Sequence, residues 1–273
     1  MRLILPFLLL ALAACAGREA PLPDPNPTNP LARAAVEEWR GWGRVVIEGW
    51  PEFRPPDNAA TPARIARLQE YWSSLPGGWR IAARHRDLRQ GMVALAARVA
   101  AETGEEDEAR PMPQGSIDDL GYYANPAWSA AFVSAIARLA MMPEADLPSS
   151  SRHARYVDAM LDSAMREPQY AAFAPHAPQD RAPAPGDLLC ADRAQLRLSH
   201  WTERLAESGR PRPMHCDVVV RTLPGMIEAI GGNVQGHVAL RRFPADASGR
   251  VLPAPYDRPG FFLLLAARRP APG

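Results

Sequence analysis

The sequence predicts an α+β fold, with N-terminal helices followed by an antiparallel sheet. Three observations predict it. Apolar residues recur at helical spacing between Leu31 and Leu161, the runs beyond Asp187 are short and rich in β-branched residues, and no β-α alternation links the two halves.

The elements follow in order. Leu31, Ala34, Ala35, Val36 and Trp39 give a helix to about Trp42, broken by Gly41 and Gly43. Val45 to Trp50 is a short apolar segment stopped by Pro51. Thr61-Pro62 opens a second helix, a capping hydroxyl before a first-turn proline, with Ile65, Leu68, Tyr71 and Trp72 on one face. A third helix spans Asp87 to Glu102, and the acidic run Gly104 to Glu108 behind it reads as a solvated loop without cation-ligand spacing. Asn125 and Pro126 cap and open a fourth helix, carrying Trp128, Ala131, Phe132, Ala135, Ile136 and Leu139 on a broad apolar face expected to be buried. Ser129 falls in its first turn, near the positive end of the dipole. Ser149 to Ser151 caps a fifth helix through His153, Tyr156, Val157, Met160 and Leu161. Strands are expected at Asp187–Cys190 after a Pro185-Gly186 turn, at Cys216–Arg221, on both sides of a Gly231-Gly232-Asn233 turn, and at Phe261–Ala267. No internal repeat is present.

The N-terminus carries targeting information. Arg2, the apolar run Leu3 to Leu12 and Leu12-Ala13-Ala14-Cys15 read as a lipoprotein signal peptide over residues 1–15, with Cys15 as the lipidated residue. The run is about half the roughly 20 residues a spanning helix needs. Diacylation would supply two acyl chains, enough for stable anchoring. Ala16 is not the aspartate associated with inner-membrane retention, so the periplasmic face of the outer membrane is the expected location. Residues 16–32 are a Pro-rich tether of extended character, and 33–268 a single domain. Formal net charge is +1, with arginine supplying every side-chain cation except histidine; nucleic acid and acidic membrane surfaces are not expected partners. The partners implied are the membrane, through the lipid, and peptidoglycan.

Besides Cys15 there are only Cys190 and Cys216, which outside the cytoplasm read first as a disulfide. No HExxH or paired CxxC is present, and no metal or other cofactor is implied.

The set WSAAFVS, SRHARYV, PGDLLC, HCDVVV and GGNV, spread over Ala34 to Ala267, resembles the bacterial lipoprotein family catalogued as domain of unknown function 2272. The order of these motifs also resembles the CHAP and NlpC-type papain-like cysteine peptidases, which cut peptidoglycan. The resemblance implies a papain-like domain in which Ser129 takes the nucleophile position, His215 the base and Asn233 the orienting amide. It also places Cys190 and Cys216 on adjacent strands. The departure is Ser129, where those peptidases carry a thiol. A thiol becomes a thiolate readily beside an imidazolium, whereas a hydroxyl needs its proton removed during attack.

Asp217 shares a strand face with His215 and is an alternative orienting group, though it could equally bond strand-end amides. Ser129 could be simply a small helix residue, and Asn233 a turn residue with positive φ. Trp128, His153 and Tyr156 could line a cleft; His153 and Tyr156, one helical turn apart, could also be packing. Trp39, Trp42, Trp50, Trp72 and Trp79 read as core ahead of a carbohydrate-stacking surface. Two functions are therefore expected of this chain: hydrolysis of cell-wall peptide amides by a Ser-His-Asn/Asp site, or non-catalytic binding of peptidoglycan or a protein partner through the same cleft.

Overall fold

The computed structural model describes residues 23–50, 62–103 and 127–268. The signal peptide with Cys15, the Thr61 cap, the Gly104–Glu108 run, Asn125 and Pro126 lie outside them.

The chain runs α1 (Pro30–Gly41), β1 (Val45–Glu48), α2 (Pro62–Ser73), α3 (Trp79–Thr103), α4 (Ser129–Leu139), α5 (His153–Arg166), β2 (Phe173–His176) and β3 (Leu188–Asp192). It ends with α6 (Trp201–Ala206), β4 (Met214–Leu223), β5 (Met226–Val234), β6 (His237–Pro244) and β7 (Phe261–Ala267). The α+β class holds, with a seven-stranded sheet of order β1-β6-β5-β4-β3-β7-β2.

That sheet is mixed rather than antiparallel. Val45 to Glu48 pairs in parallel with Ala239 to Arg242, while every other pairing is antiparallel. The β1 segment leaves α1, which packs over β4, β5 and β6, and adds to the remaining edge of β6 in the same direction. At the opposite edge, β2 pairs with β7 alone, which is why Pro175 is tolerated there. This proline also hides the strand from a reading of local sequence.

Other boundaries shift. The α3 helix begins two turns before Asp87, after a break at Gly77, whose φ is +73. Gly231-Gly232-Asn233 is not the β5–β6 turn: it lies within β5, where the register slips between Gly231 and Val234, and the chain reverses at Gln235-Gly236 (φ +52 and +84). The Pro-rich segment is described from Pro23 onward, and there it is held on the domain. Asp24 accepts from Arg40 and Arg44, and Pro23 O accepts from Arg221.

Both faces of the sheet are covered. On one, α1, α2, α4 and α5 bury Val36, Trp42, Leu68, Trp128, Phe132 and Tyr156 against Leu188, Cys190, Cys216, Val218 and Leu263. On the other, Leu189, Val219, Ile227, Phe243 and Leu264 pack with Ala245, Val251 and Trp50. Trp39, Trp42 and Trp72 are core and Trp50 is partly buried, whereas Trp79 is 63% exposed.

Candidate active site

The first turn of α4 is fixed from below. Trp128, fully buried, stacks on Trp42 with ring centres 5.1 Å apart and lies beside Tyr71. Trp42 Nε1 donates to Tyr71 Oη (2.9 Å), and that hydroxyl donates to Glu38, which also accepts from Arg67. Trp128 is the N-cap and has no side-chain capping bond, so Ser129 is the first helical residue. Trp128 is therefore a core anchor, not a cleft wall.

Ser129 meets a histidine, but not the one expected. Its Oγ lies 2.6 Å from His153 Nε2, and His153 Nδ1 is bonded to Tyr156 Oη one turn along α5. Ser134 brings the two helices into this relation. Its hydroxyl donates to Ala130 O and Ser150 O and accepts from Ser150 N, clamping the loop ahead of α5 to α4. Burial, and then the charge of His215, push the His153 imidazole well below its ordinary value, so it is neutral near pH 7. Burial, with Asp217 nearby, raises Tyr156 and keeps its phenol protonated.

His215 and Asp217 share a face of β4 as alternation requires, and His215 Nε2 lies 3.0 Å from Asp217 Oδ1. The other carboxylate oxygen accepts from Arg241 of β6 at 2.8 Å. Burial alone would raise the Asp217 carboxyl; Arg241, and then His215, hold it below the usual carboxylate range. The His153 and His215 rings lie 5.6 Å apart between centres, and the His215–Asp217–Arg241 row sits beside the Ser129–His153–Tyr156 row. All six residues are nearly closed to solvent: Ser129 and His215 are each 6% exposed and His153 5%.

The two glycines of β5 make room for both rows. A methyl group at Gly231 would overlap Asp217 Oδ1 and come within 2.8 Å of His215 Nε2; one at Gly232 would overlap Phe132 of α4. One absent side chain admits the His215–Asp217 pair, and the other admits the helix bearing Ser129. Asn233 is half-buried at φ +56, and the partner of His215 is Asp217. The bulge accounts for an Asn at this position.

Cys190 and Cys216 face each other across β3 and β4, with sulfurs 2.10 Å apart, on the side of β4 opposite His215. Asp187 of the Pro-Gly-Asp motif is structural: it accepts the backbone N–H groups of Ala184 and Ala267. Among the described residues no group of three or more His, Cys, Asp and Glu is disposed to hold a metal ion.

One member, Arg241, was not legible in the sequence, and His153 was legible only as a candidate cleft residue. Arg241 carried no local signal, since only the β4–β5–β6 register brings it to Asp217. The His153–Tyr156 spacing was visible, but the approach of α5 to Ser129 was not.

The family described as an uncharacterized protein conserved in bacteria (DUF2272) matches residues 75–258. No curated protein and no solved structure matches the chain.

Proposed function

The chain belongs to the DUF2272 family, and on that footing we propose that it is a lipid-anchored periplasmic domain of papain-like layout. Its reaction is acyl transfer to water, with amide bonds of cell-wall peptides as substrate and Ser129 as nucleophile. The observation that carries this reading is the 2.6 Å contact between Ser129 Oγ and a neutral imidazole nitrogen of His153.

The base role goes to His153 rather than His215, because His153 is the imidazole bonded to the hydroxyl. In the competent tautomer Nδ1–H donates to Tyr156 Oη, which leaves Nε2 free to accept. As Oγ bonds to the carbonyl carbon, its proton passes to Nε2 and the carbonyl electron pair becomes an oxyanion. Backbone N–H groups of the first turn of α4 face that charge. Collapse of the intermediate breaks the C–N bond, and Nε2 gives its proton to the leaving amine. Water repeats the cycle on the acyl-enzyme. His215, oriented by Asp217, adjusts the charge felt by His153. The apolar run ahead of Cys15 and the Cys190–Cys216 pair support an anchored location in an oxidising compartment.

One observation favours a second reading. Ser129 and His153 are almost shut off from solvent, as a polar pin joining α4 to α5 would be, in a non-catalytic protein that binds peptidoglycan or a partner. A serine-directed fluorophosphonate and an activated ester separate the two. Under the first reading the probe labels Ser129, and Ser129→Ala lowers hydrolysis of the ester and of peptidoglycan fragments at least about a thousandfold. Under the second, nothing labels, and Ser129→Ala only costs about 1–3 kcal/mol of stability. Wild-type rates in a folded Ser129→Ala variant exclude the hydrolase.

A further inference from the structure

A cleft of about 820 Å³ opens beside the start of α5, between Ser150–Arg155 on one wall and Ser208–Pro211 on the other. Its charge is unbalanced. Arg152, Arg155 and Arg210 line it and are exposed, and their guanidinium groups make no ion pair with a carboxylate among the described residues. The two carboxylates in the lining are already engaged by arginines outside it. Asp158 accepts from Arg204 Nε and Nη2, each at 2.7 Å, and Asp162 pairs with Arg166. Three cations thus remain around one concavity of the size that takes a small ligand.

The walls are built rather than incidental. Arg204 is fully buried, and its bidentate bond to Asp158 ties α5 to α6. Asp158 also accepts from the Gly209 N–H, and Arg204 Nη2 donates to the Arg210 carbonyl, so the loop bearing Arg210 is locked to the helix bearing Arg155. Guanidinium forks match the oxygens of phosphate and carboxylate, and preorganised walls lower the ordering cost of binding.

We propose that this cleft is an anion-binding site for an oxyanionic group of two or more negative charges, a phosphate or clustered carboxylates. Ser150 to Arg152 run directly into His153, so the bound group sits beside the helical turn that presents the imidazole to Ser129. Joined to the hydrolase reading, the cleft selects acidic substrates; anion binding itself does not depend on that reading.

Calorimetric titration of the folded protein at constant ionic strength tests it, with pyrophosphate, inorganic phosphate and citrate as probes. Saturable one-to-one binding is expected, weakened about tenfold or more by Arg155→Gln and by Arg210→Gln. It stays unchanged in Arg33→Gln, an exposed arginine of α1. Preference for pyrophosphate over citrate identifies phosphate as the group, and the reverse identifies carboxylates. Three results overturn the site: no saturation with any probe, wild-type affinity in the Arg155→Gln/Arg210→Gln double variant, or an equal loss in Arg33→Gln. Because binding is read without turnover, a protein that binds anions but hydrolyses nothing upholds the cleft while removing the hydrolase.

Discussion

His153 is the residue whose surroundings matter most. Its imidazole is buried among Ser129, Tyr156 and His215, and the folded protein holds it neutral where an unfolded chain would protonate it. Below about pH 6.5 the unfolded state therefore binds a proton that the folded state refuses, and stability falls as pH falls. One such proton contributes at most about 1.4 kcal/mol for each pH unit within the window. His176, also lowered chiefly by burial, adds in the same direction. Asp217 acts in a second, more acidic window: its carboxyl is depressed, so the stability it contributes is present above its ordinary value and lost as pH falls through the folded one. Melting temperatures measured from pH 7.5 to 5 should fall for the wild type and fall less steeply for His153→Gln. Parallel curves would show that the buried imidazole is not the titrating group.

Among the elements, β5 limits how close the parts of the site can come. The α4 helix approaches the sheet through Ala131, Ala135 and Phe132, and Phe132 occupies the space a side chain at position 232 would need. Gly232→Val should therefore displace α4, costing about 1–3 kcal/mol by overpacking and separating Ser129 from His153. Gly231→Val would instead press on Asp217 and His215 from the other face. Denaturant midpoints of the two variants check this; wild-type stability in Gly232→Val would mean that helix and strand have slack. The Ser134 clamp is the complementary device, since it fixes α5 relative to α4 through the loop rather than through the sheet.

At the scale of the whole molecule, the Cys190–Cys216 bond joins the central strand β4 to its neighbour β3 over a sequence separation of 26 and stabilises the fold by about 3 kcal/mol through the unfolded state. The described part of the Pro-rich segment lies on the domain at Asp24. Among the described residues no helix is long and apolar enough to cross a membrane. The proposed attachment is the lipid on Cys15, and Cys15→Ala should move the protein from the membrane fraction to the soluble one. A wild-type protein already soluble would dispose of the anchor.

Local sequence by itself determined most of the division into helices and strands, β2 and α6 excepted, together with the shared face of His215 and Asp217 and the opposite face for Cys216. These depend on backbone periods of 3.6 and 2, which adjacent residues encode. It also marked Ser129 as a helix-start hydroxyl, and His153 with Tyr156 as a helical pair. Only the tertiary structure decided that His153, not His215, meets Ser129, that Arg241 completes the Asp217 pair, and that β1 joins β6 in parallel. It likewise turned Gly231-Gly232-Asn233 from a turn into a bulge that relieves two close approaches. Each of these depends on which distant surfaces dock and in what register. Buried volume and long-range pairing settle that choice, and no window of neighbouring residues contains it.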